Sequence, residues 1–168
     1  GARRFDRRLR VEPRAGSHLW GRLRVIAVDT NLLVYSHRVD MEWHDKAAAL
    51  IRGCAESSTL WAIPWPCIHE FYAVVTNTRI FREPSPPEVA LRQIGVWMTS
   101  PSMVLLAERP GYWELAHRMI EAASIRGGQV HDARVAALCV FHGVTELWSA
   151  DRDFQRFPGL KTRNPLIA

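Results

Sequence analysis

Apolar residues follow two rhythms along this chain, short unbroken runs and longer stretches at helical spacing. Arg24 to Val28 reads as a buried strand, with a short helix from Asn31 to His37 directly after it. Trp43 to Glu56 places Ala47, Leu50, Ile51 and Cys54 on one helical face. Leu60 to Ile63 predicts a second strand. Pro66, tolerated in a first turn, then opens a helix to about Asn77, with Ile68, Phe71, Tyr72 and Val75 as its core stripe. Pro84, Pro86 and Pro87 break the chain before a helix from about Glu88 to Met98, and Ser102 to Ala107 predicts a third strand. An amphipathic helix runs from Tyr112 to Ile125, ended by Gly127-Gly128. His131 to Phe141 is apolar nearly all round, which marks a central buried helix. Thr145 to Trp148 reads as a strand, Arg152 to Phe157 as a helical turn, and Leu160 to Thr162 as a last edge strand.

Strands alternating with helices imply an α/β domain, with a mostly parallel sheet covered by helices on both faces. The 168 residues, 48% of them hydrophobic, form one domain large enough to bury its own core. No apolar run reaches the roughly 18 residues of a membrane span. The three cysteines, Cys54, Cys67 and Cys139, are widely spaced among apolar neighbours and read as small buried hydrophobes, which suits a reducing cytoplasm.

Net charge changes the picture once it is located. Residues 1–24 hold eight arginines against Asp6 and Glu12, a net +6, which leaves the other 144 residues at −1 with 14 basic and 15 acidic side chains. The leader, 1–24, reads as an expression-derived or poorly ordered appendage, or else as a native basic arm on nucleic acid. The body, residues 25–168, is not a charge-driven DNA binder.

Within that body, acids sit at the ends of apolar elements. Asp29 follows the first strand, Glu70 lies about one turn inside its helix, Asp132 begins the buried helix, and Asp151 follows the strand ending at Trp148, with Asp153 beside it. In an open parallel sheet, ligands bind beyond the carboxyl ends of the strands, so these acids can converge there. Two carboxylates about 4 Å apart repel by roughly 4 kcal/mol at an effective dielectric near 20. Several together hold protons or recruit a hard cation, Mg²⁺ or Mn²⁺, able to serve a phosphodiester displacement. Thr30, Asn31 and Ser149 would orient the acids, and Arg134 or Arg152 could steady a phosphate. Taken singly, each acid has a plainer reading: Asp29 and Asp132 as helix caps, Asp151 and Asp153 as solvated turn residues.

The same stretches resemble the PIN-domain ribonucleases, specifically the VapC-like toxins of type II toxin–antitoxin systems. The likeness runs through AVDTNLLVYSHR at 27–38, WPCIHEFYAVVTNTRIF at 65–81, and GGQVHDARVAALCVFHGVTELWSADRDFQRFPGLKTRNP at 127–165. It carries the family's acidic pattern onto Asp29, Glu70, Asp132 and Asp151, with Asp153 as a fifth acid. The resemblance implies a three-layer α/β/α sandwich, Mg²⁺ or Mn²⁺ dependence and endonucleolytic cleavage of RNA. It also implies a homodimer and neutralisation by a cognate antitoxin whose tail covers the acidic pocket.

Two other readings keep the same acids. One is a catalytically silent module whose acidic pocket docks a basic partner peptide, and the other is a DNA-processing nuclease. Rival chemistries lack their motifs. His69-Glu70 starts an H-E-x-x-H pattern that fails at Ala73, and there is no phosphate-binding glycine loop and no G-x-S-x-G elbow. Tryptophans 61, 97, 113 and 148 fall within regular elements and read as core and interface residues, not as a base-stacking platform.

Overall fold

The computed structural model describes residues 23–167. It contains five parallel strands: β1 (Ile26–Val28), β2 (Trp61–Pro64), β3 (Met103–Leu106), β4 (Glu146–Trp148) and β5 (Thr162–Arg163). The six α-helices are α1 (Thr30–His37), α2 (His44–Glu56), α3 (Trp65–Val75), α4 (Pro87–Met98), α5 (Tyr112–Ala122) and α6 (Val130–Phe141). Two short 3₁₀ turns, Gly127–Gln129 and Arg152–Arg156, complete the regular structure. This is the three-layer α/β/α sandwich, with helices flanking a parallel central sheet. Among the described residues, no helix is long and apolar enough to cross a membrane.

The strand order is β3-β2-β1-β4-β5. The chain builds outward from β1 on one side, then crosses back to lay β4 against its other side. β1 and β4 therefore diverge in the helices they feed, and a crevice opens between their carboxyl ends. In register, Val28 stands opposite Trp148, and the amide of Asp29 extends the ladder by donating to the Trp148 carbonyl at 3.0 Å. Any side chain borne by Asp29, or by the residues after Trp148, is thus delivered to one rim.

Central strands in such a sheet are buried on both faces and need no alternation. β2, Trp-Ala-Ile-Pro, is buried throughout, as are Ala27 and Val28 of β1. Helix α6 sits deep because alanines permit close approach, and Ala133, Ala136 and Ala137 are all essentially inaccessible. Phe71 of α3 meets the Trp97 ring of α4 edge-on at 4.8 Å and links two helices through the core.

Most predicted elements appear within a residue or two of their expected bounds. The helix expected to run to Ile125 ends instead at Ala122, because Ser124 adopts φ 53°, and the Ile125 amide closes the end by donating to Ile120 O at 3.0 Å. Gly127-Gly128 opens the 3₁₀ turn into α6. The last strand falls at Thr162–Arg163, two residues later than its expected start at Leu160. Trp113 departs from the core reading. On α5, Tyr112, Ala116 and Met119 face inward, which leaves Trp113 64% exposed.

Among the described residues, one carboxylate is buried outside the cleft. Glu146, 3% exposed at the start of β4, accepts from Trp148 Nε1 at 2.9 Å and pairs with Lys161 at 3.2 Å and Arg24 at 3.6 Å. Burial pushes its pKa up, but those hydrogen bonds and cations outweigh burial and hold it below the usual carboxylate range. Arg24, the last residue of the expected leader, is thereby tied to the sheet. The preceding residues, 1–22, lie outside the described part of the chain.

Candidate active site

Asp29 leaves β1 in extended conformation, φ −82° and ψ 162°, and caps α1 by accepting from the Thr30 amide at 2.8 Å through Oδ1. The cap and the functional reading coexist, because Oδ2 is held separately. It accepts from Asn31 Nδ2 at 2.7 Å and from Ser149 Oγ at 2.7 Å. Asn31 also donates to Ser149 Oγ at 3.0 Å, and its Oδ1 accepts from the Ala150 amide at 3.1 Å. The Asp151 amide donates to Ser149 Oγ at 3.0 Å. Asn31 and Ser149 thus rivet the loop after β4 to the start of α1, with the Asp29 carboxylate as the fixed point.

Glu70 belongs to the other side of the cleft, on α3, and is exposed to it. Thr30 Oγ1 donates to Glu70 Oε2 at 2.6 Å, so the residue after Asp29 orients the second acid. Asp132 stands in the first turn of α6, where the helix dipole favours a negative charge; Gln129, not Asp132, occupies the cap position. Asp151 caps the 3₁₀ turn by accepting from the Asp153 amide at 2.8 Å. All four acids, with Thr30 and Asn31, line one cleft of about 500 Å³, whose remaining wall includes Val34, Tyr35, Ile80, Phe81 and Phe154. Four separate elements supply the four carboxylates.

The acids differ in environment. Asp29 is 5% exposed, and burial pushes its pKa up to about 6, with Glu70 and Asp132 adding to the rise while Ser149 and the Thr30 amide oppose it. Asp132 is half-buried; its pKa is raised by desolvation first, then by the charges of Asp151, Glu70 and Asp153, against a partial offset from Arg156. Beneath Asp29, the Cys67 thiol approaches Oδ1 at 3.7 Å, and burial drives its own pKa well above the ordinary value. Cys67 and Cys139 are buried as expected, and Cys54 is half-buried.

The donor set is all carboxylate oxygen and self-repelling, the chemistry that a hard divalent cation relieves. Among the described residues, no three Asp, Glu, His or Cys side chains stand close enough together to hold a metal ion by themselves. An open wall of acids suits a cation that keeps several waters of its own, as Mg²⁺ does. Among the described residues, no histidine lines the cleft. His69 and His131 are exposed and absent from the cleft lining, while His142 caps α6 and bonds Ala107 O at 2.8 Å.

Two expectations shift. Asp153 does not line the cleft, and its carboxylate pairs with Arg156 at 3.1 Å. Arg134 pairs with Glu108 at 2.7 Å, and neither residue lines the cleft. Arg156, which sequence reasoning passed over, is the cation whose charge reaches Asp132. Its spacing three residues after Asp153 was the available signal. The apolar wall from Ile80 and Phe81 was also missed, since the loop after α3 has no period to read.

This fold and cleft define a class. The PIN domain family model matches residues 26–160, from β1 to just short of β5, and the chain belongs to that family. Its relatives bear the VapC name. Ribonuclease VapC48 of Mycobacterium tuberculosis is 32% identical over 137 residues, covering 82% of this chain and 94% of the relative. Ribonuclease VapC43 of the same organism is 32% identical over 142 residues, covering 84% and 96%. Among solved structures, M. tuberculosis VapC20, described as a Sarcin-Ricin loop cleaving toxin, superposes with a TM-score of 0.59 at 17% identity, covering 81% of this chain and 98% of that one. VapBC2 of Rickettsia felis, bound to a DNA fragment from their promoter, gives 0.58 at 16% identity, covering 83% and 97%. At such identities these two likenesses establish the fold.

Proposed function

We propose that this protein is a Mg²⁺- or Mn²⁺-dependent endoribonuclease, the toxin of a toxin–antitoxin pair, acting as a homodimer and silenced by a cognate antitoxin. The observation that carries the reading is the meeting of Asp29, Glu70, Asp132 and Asp151 in one cleft at the point where the sheet reverses its winding. Relatives named as VapC ribonucleases support the reaction, and the VapBC assemblies among the structural neighbours support a protein partner.

Asp29, Glu70, Asp132 and Asp151 would hold the cation. When bound, it would supply a water acidic enough to attack at neutral pH and would offset charge on the phosphodiester. The chain's own contribution is positional. Ser149 and Asn31 keep Oδ2 of Asp29 fixed, and Thr30 keeps Glu70 turned toward it. Burial holds Asp29 poised to exchange a proton for a cation near neutral pH. The Arg156–Asp153 pair steadies the 3₁₀ turn that carries Asp151.

The test is cleavage of single-stranded RNA with Mg²⁺ or Mn²⁺, with EDTA, and by Asp29→Asn. Cleavage should be abolished by chelation and reduced at least about 100-fold by the substitution, on the scale of losing a central electrostatic group. Activity that survives both would end this reading, and preference for single-stranded DNA would move it to a DNA-processing enzyme.

A further inference from the structure

An acidic cleft repels the polyanion it is meant to cut, so a nuclease of this kind needs cations beside the acids to seat the strand. Several basic side chains are already engaged: Arg38 with Asp40, Arg134 with Glu108, Arg156 with Asp153, and Arg24 and Lys161 with Glu146. Lys46 donates to Leu166 O at 2.6 Å. Arg152 and Arg163 make no ion pair and no side-chain hydrogen bond among the described residues, and both are exposed.

These two arginines line one cavity. It measures about 520 Å³, within the usual range of roughly 300–1,000 Å³ for a ligand pocket. Gln155, Thr162, Asn164 and Ile167 complete its wall. Asn164 Oδ1 accepts from the Leu166 amide at 3.0 Å, which aims the side chain and leaves its NH₂ as a donor. Ile167 is 48% exposed, an apolar surface beside the polar donors. Asp151 and Ser149 belong to this cavity too, and Asp151 also lines the acidic cleft. The two spaces therefore share a wall, and that wall is one of the four acids.

We infer that this cavity, at the carboxyl ends of β4 and β5, is the seat of the nucleotide next to the scissile phosphate of single-stranded RNA. Arg152 and Arg163 take backbone phosphate, Asn164, Gln155 and Thr162 bond sugar or base edges, and Ile167 packs on a base face. A strand lying across Asp151 would have one phosphate at the acids and the next at the arginines. The inference rests on the nuclease reading. On the opposite flank the cleft wall is apolar at Ile80 and Phe81, and the Arg38 guanidinium that lies 4.1 Å from the Phe81 ring is already paired with Asp40 at 2.7 Å.

The experiment is binding of a fluorescein-labelled single-stranded oligoribonucleotide to the full-length Asp29→Asn protein with Mn²⁺, followed by anisotropy from low to moderate salt. Relative to that parent, adding Arg152→Gln and Arg163→Gln together should weaken binding roughly tenfold near 0.1 M salt. The two substitutions should also flatten the slope of log affinity against log salt by about 1.4, two phosphate contacts on a single strand. Arg152→Gln alone, on an exposed turn, should give about half the slope change, which protects the result should Arg163 prove necessary for β5. Unchanged affinity and slope in folded variants would overturn the proposal, as would the same loss appearing with Arg79→Gln instead. Tighter, equally arginine-dependent binding of the matching DNA would overturn the RNA assignment. If the unsubstituted protein cleaves RNA while these variants bind like the parent, the subsite alone fails. If it neither binds nor cuts RNA, the nuclease reading fails with it.

Discussion

At the scale of single residues, Asp29 is where structure and chemistry conflict. It is the most buried of the four cleft acids, and nothing charged among its direct hydrogen-bond partners compensates it. Its folded pKa, about 6, lies above the ordinary carboxylate value of 3.8, so between those pH values the folded state binds more protons than the unfolded one. The contribution of Asp29 to the stability of the cation-free protein should therefore fall as pH rises through that window, by about 3 kcal/mol in all at the usual conversion of pK to free energy. Urea unfolding in EDTA from pH 4 to 7 measures this as the difference between the protein and Asp29→Asn, which cancels the same-sign contribution of Asp132 and the opposing ones of the half-buried His37 and the buried His142. Glu146 contributes with the opposite sign. Its depressed pKa gives stability present above the unfolded value and lost as pH falls through the folded one, so it opposes the Asp29 trend only at the acid end of the range. The sequence made Asp29, Thr30, Asn31 and Ser149 legible because each is adjacent to a strand end. The roles of Arg156 and Asp153 were not legible, since which acid a surface arginine pairs with depends on a 3₁₀ turn that leaves no hydrophobic period.

Elements were readable where their hydrophobic pattern was strong. β2 and the middle of α6, Val135 to Cys139, are buried throughout and stand out as unbroken apolar runs. The glycine pair predicts too late an end for α5, because Ser124 stops the helix in a left-handed conformation at φ 53°. Serine there carries a steric cost that glycine avoids. Ser124→Gly should therefore raise the stability of the protein by up to about 1 kcal/mol without affecting the cleft, as read by the midpoint of chemical unfolding. A loss of stability instead would mean that the Ser124 side chain contributes more than its backbone strain costs. The edge strand β5 begins two residues later than local sequence predicts, because a two-residue strand is defined by its pairing with β4, which local sequence does not encode.

For the molecule as a whole, the winding order explains the site. Alternating strands and helices in the sequence implied a parallel sheet, but not that β4 would return beside β1. That return brings residues about 120 positions apart, Asp29 and Ser149, into a 2.7 Å hydrogen bond and sets Asp151 facing Glu70 and Asp132 across one cleft. The resemblance of three sequence stretches to PIN-domain nucleases anticipated this convergence, and periodicity alone could not have done so. The central claim is that the four acids act together as a seat for a divalent cation. Calorimetric titration of Mn²⁺ into the full chain near neutral pH tests it most directly. The account expects saturable binding that weakens by about tenfold or more in each of Asp29→Asn, Glu70→Gln, Asp132→Asn and Asp151→Asn, provided each variant retains its fold by circular dichroism. Mn²⁺ affinity that is absent in the unsubstituted protein, or that persists undiminished through all four folded variants, would contradict it.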